Sequence, residues 1–136
     1  MPRPSTNRGT RSALHGGSSI NDLGLSPRGM VVMACDGALR FLEAADAARA
    51  AENQDAAVLN VEKAQRVLLE MMGALDHAVA PAMTETLERL YQSLLDRLSD
   101  ALHGDRKAIT ETRLVLTRLR NAWLEAGGRC RVAGGR

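Results

Sequence analysis

From Val31 onward, apolar residues recur at alternating steps of three and four: Val31, Ala34, Ala38, Phe41, Ala45 and Ala48. A strand needs a period of two, so this spacing lines one side of a helix. Three more seams follow. The second is Val58, Val61, Gln65, Leu68, Met72 and Leu75; the third is Met83, Leu87, Leu90, Leu94, Leu98 and Ala101. The fourth is Ile109, Thr112, Leu116, Leu119 and Trp123. Punctuation falls between the seams. Ser26 and Pro27 make a helix start, Asp55 an N-cap after Asn53 and Gln54, and Pro81 opens the third helix once the second ends near Asp76 or His77. Gly104 and Asp105 supply a stop and a new cap. Four helices of about twenty residues with short links predict an all-α, antiparallel four-helix bundle roughly 30 Å long.

Composition agrees with that reading. Among 136 residues only Phe41, Tyr91 and Trp123 are aromatic, so the core must be built from Leu, Ala, Val and Met, and an all-β sandwich is excluded. Residues 1–24 mix Pro, Ser, Thr, Asn, Arg and Gly without helical period, and residues 127–136 form a Gly/Arg tail. Both are expected to be flexible segments flanking one bundle domain, residues 25–126.

The net charge of +2 is unevenly spread: residues 1–24 carry +2, residues 125–136 carry +2, and residues 25–124 carry −2. A folded nucleic-acid module places its positive excess and its aromatics on the body, so no nucleic-acid partner is expected. Residues 84–105 carry −3 and residues 106–124 carry +4, which predicts attraction between the third and fourth helices. Arg106, Arg113 and Arg120 repeat every seven residues, and the simplest role for that stripe is to face the acidic third helix. The alternative is a nucleic-acid-associated or regulatory bundle using the Arg-bearing tails.

Catalytic and ligand chemistry is sparse. Cys35 and Cys130 lie far apart with no CxxC, and Cys35, inside an apolar helical run, reads as a small buried side chain. Asp100-x-x-His103 puts two potential ligands on one helical face, but a di-iron bundle needs two Glu-x-x-His pairs and two further Glu. The glycine doublets sit in the tails with no Walker-type lysine. No enzyme activity, metal or cofactor is expected. With neither an apolar signal core nor a membrane-length run, the expectation is a cytoplasmic protein without membrane insertion.

What remains is apolar surplus. Leu39, Leu42, Leu59, Leu69, Met71, Tyr91, Leu95, Leu102, Leu114, Val115 and Leu124 lie off the seams, and Tyr91, Leu95, Leu98 and Leu102 form a continuous row on the third helix. Two roles stay open: a wide core, or a groove for a partner.

Ser26-Pro27, Met33-Ala34-Cys35-Asp36-Gly37, Lys63-Ala64, Leu75-Asp76, Leu90-Tyr91 and Ala122-Trp123, in this order and at these spacings, resemble the FliS family of flagellar secretion chaperones over residues 25–125. Cys35 stands where that family usually has an aromatic residue, and the N-terminal segment lacks its Tyr-containing motif. The resemblance implies a cytoplasmic helical bundle that binds the disordered C-terminal segment of flagellin before export and prevents premature polymerisation, with a component of the export gate as a further partner. The partner-binding residues expected from it and from the surplus are Ile20, Leu23, Leu69, Met71, Tyr91, Leu95, Leu98, Leu102 and Val115.

Overall fold

A computed structural model describes the backbone of residues 27–134 and the side chains of residues 27–126. Ser26, Ile20, Leu23 and the expected flexible segment 1–24 lie outside the described residues. The fold is all-α: α1 (Pro27–Ala50), α2 (Gln54–Gly73), α3 (Pro81–Leu102) and α4 (Ala108–Gly134). Each helix packs on the next in sequence, and α4 closes the ring against α1.

Helix ends follow local chemistry. The N-cap of α2 is Asn53, whose side chain accepts from Ala56 N–H, and Asp55 sits in the first turn instead of at the cap. The helix stops at Gly73, before the Asp76 or His77 expected from its seam. Asp76 turns the chain there, its carboxylate accepting from Ala78 N–H at 3.0 Å. At the other end of the chain, α4 runs to Gly134 through the residues expected to form a tail. Extending an established helix needs no new nucleus, so Gly127 and Gly128 weaken it locally without forcing a break.

The links α1–α2 and α3–α4 share one geometry. Asn53 N–H donates to Ala48 O and Glu52 N–H to Arg49 O; Asp105 N–H donates to Asp100 O and Gly104 N–H to Ala101 O. These are two Schellman turns, each requiring a left-handed residue. Gly104 supplies it at φ 107°, whereas Glu52 adopts φ 59° with a β-carbon. Gly104→Ala is expected to destabilise the protein by about 1 kcal/mol, and Glu52→Gly to stabilise it by up to about 1 kcal/mol, in urea unfolding. A β-carbon at Gly104 meets nothing within 4 Å, so any loss there isolates the backbone conformation.

The core is apolar and alanine-rich. Ala38, Ala45, Ala57 and Ala64 are buried on α1 and α2, where their small side chains let the two helices approach closely. Leu42, Leu68, Leu98, Ile109 and Leu116 fill the interior, each contributing roughly 2 kcal/mol by burial. Cys35 is fully buried, and burial, followed by the adjacent Asp36, pushes its thiol pKa up to about 12. It remains an uncharged core side chain.

The ion pairs revise the expected charge pattern. Arg113 reaches Asp46 at 2.8 Å, and Arg120 pairs with Asp36, so the stripe on α4 faces α1 and not α3. The descending register, 113 with 46 and 120 with 36, shows that α1 and α4 run in opposite directions. The α3–α4 contact depends on a cation of the acidic helix: Arg97 joins Glu111, Asp105 at 3.1 Å and Asp100 at 2.8 Å. Asp105 is held below the usual carboxylate range, first by Lys107 N–H and then by Arg97. Arg49, in the last turn of α1, donates to Ala101 O at 3.2 Å and so caps the end of α3. Net charge per helix misses these contacts because pairing depends on which face each side chain occupies.

Candidate functional site

At the bundle end opposite those two turns, the seams open into a cleft of about 860 Å³. Its location follows from helix lengths and the longer α2–α3 link. Seam residues in the middle of the bundle have neighbours above and below; in the terminal turn they lack one side, and their apolar surface faces outward. Met30, Val31 and Ala34 form the α1 wall, and Val67 and Met71 the α2 wall. Leu75 and Val79 come from the link, Met83, Leu87 and Tyr91 from α3, and Trp123 from α4.

Several of these side chains are open to solvent. Val79 is 76% exposed and Met83 57%, both high for apolar residues of this size. Among the described residues, Glu70 and Asp76 are the carboxylates on the cleft, and no Lys, Arg or His lines it. Burial pushes the Tyr91 hydroxyl pKa up to about 12, so it stays neutral in the floor.

The residues expected to bind a partner do not form one surface. Tyr91, Leu95 and Leu98 are buried, the last completely, so the α3 row is a core stripe that meets the cleft at its Tyr91 end. It points inward because its positions continue the same helical face as Leu94 and Ala101. Leu102 and Val115 are half-buried against that core, and Leu69 is 56% exposed away from the cleft. Of the seven that lie among the described residues, Met71 and Tyr91 line the cleft.

Met30, Val79, Met83 and Trp123 are the cleft residues that spacing alone does not single out. Periodicity places Met83 and Trp123 in core seams; the available signal was their position in the end turns, where a seam loses its neighbours. Of the exposed large apolar residues, Val79 and Met83 line the cleft, while Met33, Leu59, Leu69, Leu114 and Leu124 lie outside it. Asp100 and His103 are engaged locally, Asp100 by Arg97 and the His103 ring by Ser99 O at 2.8 Å.

The described residues thus form a four-helix bundle with an open, mainly apolar cleft at one end. The family model described as flagellar protein FliS matches residues 18–129, and the chain belongs to that family. Its members are chaperones of flagellar secretion. No curated protein sequence matches the chain. No helix among the described residues is long and apolar enough to cross a membrane.

Proposed function

We propose that this protein binds the C-terminal segment of flagellin in the cytoplasm and keeps it from polymerising before export, with the cleft as its principal docking surface. The cleft at the α1, α2 and α3 ends carries this reading: it is large, apolar and open, and it is walled by adaptable methionines. Flagellin's terminal segments assemble through amphipathic helices. A segment with an exposed apolar stripe gains by burying that stripe in such a cleft. Ordering a disordered client costs roughly 2–5 kcal/mol, so contact must extend along the client and not rest on one anchor.

The stripe Arg106, Arg113 and Arg120 gives little support to nucleic-acid binding, because Arg113 and Arg120 are paired with α1 carboxylates. Flagellin from the same genome is expected to co-purify with the chain. Met83→Asp is expected to weaken that complex at least about tenfold, which is 1.4 kcal/mol, with helicity unchanged because Met83 is exposed. Failure to bind any flagellin of that genome, by titration calorimetry with purified proteins, refutes the proposal.

A further inference from the structure

Between α2 and α3 the cleft wall is a link, residues 74–80, and the backbone of its turn is bonded within the turn. Val79 N–H donates to Asp76 O at 3.1 Å and Ala78 N–H to the Asp76 carboxylate, which shapes the turn without fixing it to a helix. Two side-chain contacts make that attachment. The nearly buried Thr84 hydroxyl donates to Asp76 O at 3.3 Å, and His77 Nε2 meets Glu88 Oε1 at 3.1 Å. A carboxylate only accepts, so Nε2 carries the proton in that bond. One contact alone leaves the turn free to pivot; two set its angle.

The faces of the link have different neighbours. Leu75, Asp76, Val79 and Ala80 line the cleft, whereas His77, the middle residue of the link, does not. On α3, Leu87 and Tyr91 line it and Glu88 does not. His77 and Glu88 therefore meet outside the cleft, where an occupant leaves them undisturbed. The nearest cation in sequence, Arg89, is engaged by Glu85 at 3.1 Å, and among the described residues Glu88 pairs with His77.

We infer that the His77–Glu88 pair is a latch that positions the link, and with it Leu75 and Val79, for the occupant of the cleft. The inference rests on the proposed flagellin site and names residues that set its shape without touching the client. With the latch made, Leu75 and Val79 are in place when the client arrives; with it open, the client must order them, at a cost in affinity. The two side chains are 57% and 47% exposed, so the latch adds little to the stability of the whole bundle.

Full-length wild type, His77→Ala, Glu88→Ala, the double variant and His77→Gln are titrated with purified flagellin, with Met83→Asp as the control for the cleft. Each alanine variant is expected to bind about threefold more weakly, the scale of one exposed pair, and the double variant no more weakly than either. His77→Gln is expected to restore affinity, since its amide N–H donates to Glu88 as the imidazole does. In the free alanine variants the Ala78 and Val79 amides are expected to exchange hydrogen about threefold faster, with melting temperatures lowered by less than about 2 °C.

Wild-type affinity in both alanine variants, with Met83→Asp still impaired, overturns the latch and leaves the cleft reading standing. Losses that multiply in the double variant also overturn it, since one contact cannot be lost twice. So does a His77→Gln protein that binds as weakly as His77→Ala. A wild-type chain that binds no flagellin removes the proposed function itself, and the inference with it.

Discussion

Leu98→Ala is expected to lower the stability of the bundle by about 3 kcal/mol, and its melting temperature by roughly 10–20 °C. Leu98 has no exposed surface and lies one turn from the C-terminal end of α3, with Leu94, Leu95 and Ala101 on the same buried face. Two terms add. Removing the isobutyl group loses its transfer free energy, and the cavity left behind adds a further cost. The rest of the interior resists collapse, because helices already in contact through alanines have little further to move. Chemical denaturation followed by circular dichroism measures the change, and a loss below about 1 kcal/mol would show that Leu98 is not enclosed as described.

The opposite error, overfilling, should harm the α1–α2 contact. Ala64→Leu adds three carbons at a position with no exposed surface, in a layer with Ala38, Ala45 and Ala57. No flexible long side chain among those alanines can move aside. The helices must separate, or the new side chain must leave its rotamer wells, at an expected cost of about 3 kcal/mol. The same substitution at Ala47, which is exposed on α1, is expected to be nearly neutral and separates volume from helix propensity. Equal effects at the two sites, read in the same urea titration, would refute the close approach of α1 and α2.

The number of helices and most of their limits were legible because apolar spacing and caps are local properties. Pro27 and Pro81 begin helices and Gly104 ends one, where residue chemistry alone placed them. Asp55 and Asn53 illustrate the limit: both are good caps, and the Schellman turn ending α1 decides that Asn53 is the residue in position. The site was less legible. Whether Leu98 or Met83 meets solvent depends on which end of the stacked helices each lies near, the one closed by the Schellman turns for Leu98 and the open one for Met83, and both occupy the same seam. Thr112 marks another limit: it takes a core seam position and is fully buried, with its hydroxyl unpartnered. Spacing reports the direction a side chain takes; depth within the bundle comes only from the assembled ends.

The unequal treatment of the two ends has a mechanical consequence. Arg49, Arg97 and the paired Schellman turns fasten the helices at one end, while the other is bridged by the seven-residue link between α2 and α3. Such a body behaves like a clothes peg, with its spring at the fastened end and its jaws at the cleft. Small angular splay of the jaws widens the gap by the full leverage of a helix length while the spring stays intact. On the proposed function, one scaffold would thereby grip client helices of different girth, with tolerance set by spring stiffness more than by the resting shape of the mouth.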